Sequence, residues 1–138
     1  MHNVELRYLL DTNIFIYIRQ GRPEEVFRRF RRLRPGEAAI SVITYGELFY
    51  GAVKHSDQAK ALHQLREVID VLPVLLLPET AAETYGHIRA DLESKGEMIG
   101  NNDAWIAAHA IASRLTLVTN NEKEFRRVRG LKVQNWAT

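Results

Sequence analysis

Apolar positions along this chain fall into short β-prone runs separated by stretches in which they recur every three or four residues. Val4–Leu10 is apolar and breaks at Asp11-Thr12-Asn13, which predicts a buried strand ending at Asp11. Ile14–Arg19 predicts a short helix, and Pro23 stands where a helix often begins. In the segment that follows, Val26, Phe27, Phe30 and Leu33 share one face and arginines 28, 29, 31 and 32 take the other, until Pro35-Gly36 closes it. Ala38–Val42 predicts a second strand leading into a helix through Ala52. Ser56 and Asp57 can cap a helix over Gln58–Asp70 that turns Leu62, Leu65 and Ile69 to the core. Val71–Leu77 reads as a third strand, ended by Pro78. Thr80 with Glu83 forms a capping-box pattern for a long helix carrying Tyr85, Ile88 and Leu92 and stopping near Gly96. Asn102 or Asp103 starts a helix with Ile106, Ala107, Ala110 and Ile111, and Leu115–Val118 and Leu131–Val133 supply a fourth and a fifth strand. Strands alternating with helices predict an α/β fold with a mainly parallel sheet.

Composition narrows the class. The 138 residues fit one domain spanning 1–138. With 46% hydrophobic and 26% charged residues the chain is neither disordered, collagen-like nor a coiled coil. Cysteine is absent, which excludes disulfides, thiolate metal sites and cysteine nucleophiles together. The longest uncharged stretch, Ala104 to Ser113, is far short of the roughly 20 apolar residues of a membrane span. Glu5, Arg7 and Asp11 around the first apolar run do not make a signal-peptide pattern, so a cytoplasmic protein is expected.

The net charge is only +2, but its distribution is uneven. Fourteen of the nineteen basic residues are arginines, crowded at Arg28, Arg29, Arg31, Arg32 and Arg34 and again at Arg126, Arg127 and Arg129. The first run is either a solvated helix face or a contact for nucleic acid or an acidic partner. The aromatics Phe15, Tyr17, Tyr45, Phe49 and Tyr50, at helical spacing, read as core or interface, and His109 inside an apolar helix reads as a core histidine.

In open parallel sheets, ligands lie beyond the carboxyl ends of the strands. Asp11 ends the first strand, Glu47 lies early in the helix after the second, Asp103 opens a helix after Gly100-Asn101-Asn102, and Thr119 to Glu124 follows the fourth strand. Each has a structural explanation as well. Asp11 can cap a helix, Glu47 can complete a capping box with Thr44, Asp103 can favour a helix dipole, and Glu122 and Glu124 can be solvated surface. Taken together they gather acids on one sheet edge, where they repel unless a cation lies between them. Oxygen donors without cysteine, and histidines scattered at 2, 55, 63, 87 and 109, favour Mg²⁺ or Mn²⁺ over Zn²⁺. Such a site beside arginine-rich surface suits a polyanionic substrate whose phosphates complete the coordination.

Four motifs carry a resemblance to a known family. Leu9-Leu10-Asp11-Thr12-Asn13-Ile14 resembles the opening motif of PIN-domain proteins, and Ile43-Thr44-Tyr45-Gly46-Glu47-Leu48 with Tyr50-Gly51 the second. Ile99-Gly100-Asn101-Asn102-Asp103 with Ile106-Ala107-Ala108-His109-Ala110 is similar to the third. Leu117-Val118-Thr119-Asn120-Asn121 with Glu124-Phe125 and Asn135-Trp136 is similar to the last. In order and spacing the set resembles the VapC branch, the toxins of bacterial VapBC toxin–antitoxin pairs.

The resemblance implies a three-layer α/β/α domain with a central parallel sheet and a Mg²⁺- or Mn²⁺-dependent endoribonuclease. It implies catalytic roles for Asp11, Glu47 and Asp103. Asp11 and Asp103 are then the direct metal ligands, with Glu47 acting through water or tuning a partner. Thr119 matches a hydroxyl position of the family site, and Thr12, Asn13 and Asn121 support it. Many PIN domains carry an aspartate in the Thr119–Phe125 segment, where this chain has Asn120 and Asn121. Glu124 matches an acid of close VapC relatives and Glu122 is the weaker match, so whether one metal ion or two acts stays open. The resemblance further implies a homodimer, a VapB-type antitoxin whose tail crosses the groove, and an RNA substrate, with structured RNA such as initiator tRNA among the candidates. Two other classes remain: a PIN fold that binds RNA or a partner without cutting, and an aspartate-based phosphotransfer domain. For a haloacid-dehalogenase site the second aspartate of Asp-x-Asp is replaced by Asn13.

Overall fold

The structure, a computed structural model, describes residues 4–137. Its elements in chain order are β1 (Tyr8–Leu10), α1 (Thr12–Gln20), α2 (Glu24–Arg31), β2 (Ala38–Ser41), α3 (Val42–Val53), α4 (Gln58–Ile69), β3 (Val74–Leu75), α5 (Glu79–Lys95), α6 (Asn101–Ala112), β4 (Thr116–Val118), α7 (Glu122–Phe125) and β5 (Val133–Gln134). The five strands form one sheet in the order β3-β2-β1-β4-β5, and every neighbouring pair is parallel. Among the described residues no helix is long and apolar enough to cross a membrane.

Helices cover both faces, giving the three layers. Alternate side chains of the central strands point to opposite cores. Tyr8, Leu10, Ile40 and Val118 pack with Ile14, Phe15, Val26 and Leu65 from α1, α2 and α4. Leu9 and Leu117 point the other way, toward Ile88, Leu92, Ile106 and Phe125. Both faces being covered, the strands read as continuous apolar runs rather than as alternating ones.

The strands are shorter than the apolar runs predict. β1 keeps only Tyr8–Leu10 of Val4–Leu10, because its partners Ala38–Ile40 and Thr116–Val118 offer three rungs on each side. β3 is Val74–Leu75 rather than Val71–Leu77, and β5 is shifted to Val133–Gln134. Two capping boxes do not form. Pro78 occupies the N-cap of α5 and leaves Thr80 inside the helix, with its carbonyl bonded by the Thr84 hydroxyl. Ser41, not Thr44, caps α3, its Oγ accepting the Ile43 N–H at 3.1 Å, because β2 ends at Ser41 and the helix begins at once. α6 starts one residue earlier than expected, with Gly100 at its N-cap. Gly96 ends α5 in the left-handed region at φ 65°, as its sequence position predicts.

Candidate active site

The strand order reverses direction between β1 and β4: the chain progresses outward from β1 to β2 and β3 on one side and from β4 to β5 on the other. In open parallel sheets this switch point opens a crevice at the carboxyl ends of the strands. Asp11 and Thr119 stand there, each the first residue past its strand, and the Asp11 N–H donates to the Val118 carbonyl at 3.0 Å. A cavity of about 140 Å³ lies over them, lined by Asp11, Thr12, Asn13, Glu47, Asp103, Asn121 and Phe125.

Asp11 is 5% exposed and held at both oxygens. Oδ1 accepts the Ile14 N–H at 2.9 Å, capping α1, and Oδ2 accepts the Thr119 hydroxyl. The capping explanation and the chemical one therefore apply to the same side chain. Thr119 is itself fixed, its Oγ1 accepting the Asn121 N–H at 2.9 Å. Glu47, half-buried one turn into α3, accepts the Thr12 hydroxyl at 2.8 Å, a contact that ties α3 to α1 across 35 residues of sequence. Asp103 lies half-buried in the first turn of α6.

The electrostatics of the cavity are those of uncompensated acids. Burial pushes the Asp11 carboxyl up to about 6, against the lowering effect of its Thr119 and Ile14 hydrogen bonds, and Asp103 and Glu47 add to the rise. Asp103 is also raised, first by burial and then by the charges of Glu47 and Glu124. None of these four acids has an ion-pair partner among the described residues. Among those residues no three acidic or imidazole groups close in far enough to chelate an ion by themselves. Mg²⁺ does not ask for such a cage: it is commonly held by one or two carboxylates and keeps several waters. A buried carboxylate with raised proton affinity, a second acid across a small polar cavity and only oxygen donors fit that kind of ion.

The remaining sequence candidates divide. Asn13 and Asn121 line the cavity. Glu124 lies within electrostatic reach of Asp103. Glu122 turns away, accepting from Arg126 at 2.7 Å and from Asn135 at 2.8 Å, and these contacts hold its pKa below the usual carboxylate value. Asn120 also leaves the site, donating to the Tyr17 hydroxyl at 2.6 Å. Two features were not read from the sequence as parts of the site. Phe125, buried at the end of α7, closes one wall of the cavity; only its place beside Glu124 in the last motif pointed to it. His109 of α6 and Ser41 of β2 meet at 2.8 Å, tying the helix of Asp103 to the cap of the helix that carries Glu47.

An all-parallel sheet in this order, with acids from three segments meeting at its switch point, defines the class, and comparison with known proteins agrees. Residues 8–131 match the family model described as PIN domain. The chain belongs to the PIN-domain family, and within it to the VapC-type ribonucleases. It is 40% identical over 131 residues to ribonuclease VapC2 of Haemophilus influenzae, covering 95% of this chain and 98% of that protein. It is 39% identical to the tRNA(fMet)-specific endonuclease VapC of Shigella flexneri, over 96% of this chain and 99% of the relative. Among solved structures, VapBC from Salmonella typhimurium bound to DNA superposes with a TM-score of 0.89 at 39% identity, over 95% of this chain and 98% of that one. VapBC2 of Rickettsia felis bound to a promoter DNA fragment gives 0.88 at 38% identity, over 95% and 99%.

Proposed function

We propose that this protein is the toxin of a toxin–antitoxin pair, an endoribonuclease that depends on Mg²⁺ or Mn²⁺ and acts in the cytoplasm on RNA. The observation that carries the reading is the lining of one polar cavity by Asp11, Glu47 and Asp103, none of which has an ion-pair partner among the described residues. Full-length identity near 40% to proteins named as VapC ribonucleases supports RNA as substrate. The tRNA-specific relatives make structured tRNA the first substrate to try.

Asp11 and Asp103 are the metal ligands in this proposal. A divalent ion held there would supply positive charge to the phosphate oxygens and acidify a bound water. The chain's own residues prepare the site. Thr119 and the Ile14 N–H fix the Asp11 oxygens, and Thr12 holds Glu47 where it can accept a proton from a water in the cavity. Glu124 adds negative charge behind Asp103 and serves as the fourth acid, whereas Glu122 is committed to Arg126 and Asn135. A haloacid-dehalogenase type of phosphotransfer is disfavoured because Asn13 stands where that site needs a second aspartate.

The partner is a VapB-type antitoxin; the similar structures include VapBC complexes of Rickettsia felis, Haemophilus influenzae and Salmonella typhimurium. The toxin also pairs with itself. Phe49, Tyr50 and Val53 expose apolar surface on α3, and Leu76 beyond β3 is 82% exposed.

The test is incubation of antitoxin-free protein with total tRNA. Discrete fragments with Mg²⁺ and none with EDTA are expected. Equal cleavage in EDTA would contradict the metal dependence. Absence of cleavage by folded, metal-loaded protein would favour the non-cutting reading.

A further inference from the structure

The active-site cavity accounts for the acids but not for the arginines. Between residues 19 and 34 the chain carries seven arginines against two glutamates, while the rest carries more acids than bases, so this segment holds more than the whole net charge. Along α2 and the turn after it Val26 is fully buried and Phe30 and Leu33 pack against the core, whereas Phe27, expected on that face, lies half-buried under the Arg31 guanidinium; Arg28, Arg31 and Arg32 are exposed on the opposite side. Arg28 pairs with Glu24 at 3.1 Å. Arg19, Arg22, Arg29, Arg31, Arg32 and Arg34 have no ion-pair partner among the described residues. One or two basic residues in the last turn satisfy a helix dipole; five between residues 28 and 34 exceed that need and repel one another.

The basic surface lies apart from the acids: Arg31 and Arg34 line a pocket with Ala38 and Leu72, at the edge of the sheet where β2 and β3 begin. α2 packs along α1, which begins at Thr12 beside the acids and rises about 13 Å over its nine residues. A groove of about 640 Å³ runs from Thr12 and Glu47 to Arg19 and Gln20 at the far end of α1, with His55, Gln64 and Glu67 on its other wall, and none of its lining residues comes from α2.

We propose that the arginine face of α2 and the turn after it is a second RNA-binding surface that holds the phosphates of a folded substrate away from the scissile bond. This rests on the endoribonuclease reading. The geometry explains how a small cavity, with few side chains to read bases, can favour an RNA large enough to touch both places. Planar guanidinium groups pair with phosphate oxygens without regard to sequence, so this contact adds affinity and orientation rather than base recognition. An acidic protein segment could meet the same charges, but the substrate of the proposed nuclease is itself a polyanion large enough to reach from the acids to this face.

The test is equilibrium binding of total tRNA to the full chain in EDTA, where no metal-dependent cleavage intervenes, across a series of KCl concentrations. Arg28→Gln/Arg31→Gln/Arg32→Gln is expected to lower affinity on the order of tenfold and to reduce the slope of log K against log salt by about two. Arg28→Lys/Arg31→Lys/Arg32→Lys keeps most of the slope, which separates lost charge from lost folding. Arg126→Gln/Arg127→Gln/Arg129→Gln, at the other arginine cluster, keeps the wild-type slope. Wild-type affinity and slope in the α2 glutamine variant overturn the proposal, as does an equal loss in both glutamine variants. Retained tRNA affinity with lost antitoxin binding assigns the face to an acidic protein and also overturns it. Steep, α2-dependent tRNA binding by a protein that cuts no RNA supports this surface while contradicting the nuclease reading, so the two failures are distinguishable.

Discussion

Asp11 concentrates the tension between stability and chemistry in this molecule. Its carboxyl, near 3.8 when unfolded, is pushed up to about 6 in the fold, chiefly by burial. The folded state therefore binds the proton more tightly, so this group stabilises most below about 3.8 and loses that contribution as pH rises through 6. At pH 7.5 the buried charge costs about 1–3 kcal/mol. Asp11→Asn in EDTA at that pH is thus expected to raise the free energy of unfolding by that order while removing cleavage, and thermal or urea denaturation checks it. Thr119→Val removes a hydrogen bond that holds the carboxylate down, so the Asp11 pKa should rise further, and Mn²⁺ binding by calorimetry should weaken on the order of tenfold. That Asp11 closes the first strand at the candidate site was legible, because an acid ending an apolar run stands out in the sequence. Its second bond, to a hydroxyl 108 residues away, was not, since only the β1–β4 pairing brings Thr119 beside it.

At the scale of elements, the acids are positioned by how strands hand over to helices. Ser41 ends β2, caps α3 and receives His109, and so fixes two acid-bearing helices relative to one another. Ser41→Ala should cost about 1–2 kcal/mol in urea unfolding, from a lost cap and an orphaned imidazole nitrogen. Burial lowers the His109 pKa below its usual 6.5, outweighing the raising effect of the Leu76 backbone. The neutral ring is the stabilising form: its contribution is present above about pH 6.5 and is lost as pH falls toward the lowered value. Gly96→Ala should cost about 1 kcal/mol for backbone conformation alone, because an added Cβ meets nothing within 4 Å. Helix periods were legible nearly to the residue, as in α4 and α5, because a buried stripe repeats over several turns. Strand ends and caps were not. Apolar runs such as Val4–Leu10 and Val71–Leu77 are longer than the partners available to pair with them, and the boxes at Thr44 and Thr80 were superseded by Ser41 and Pro78 where the sheet released the chain.

The whole molecule places chemistry at the switch point of a parallel sheet and leaves apolar surface elsewhere. Tyr50, 62% exposed, and Val53 on α3 belong to the apolar face proposed above for self-association. Tyr50→Asp/Val53→Asp is expected to convert a dimer to a monomer in light scattering with little change in unfolding free energy. Fold class and the acid set were legible because four separated motifs each ended at the same edge of an alternating β/α pattern. The resemblance already ranked Glu124 above Glu122; its physical reason was not legible, since only the fold engages Glu122 with Arg126 and leaves Glu124 within electrostatic reach of Asp103. The central claim is that these acids form a metal-dependent ribonuclease site. Its most direct test is the rate of tRNA cleavage at saturating Mg²⁺ by wild type and by Asp103→Asn, with folding of both confirmed by circular dichroism. Removing one carboxylate should lower the rate at least a hundredfold. Cleavage at the wild-type rate would make Asp103 a helix-dipole residue and contradict the account.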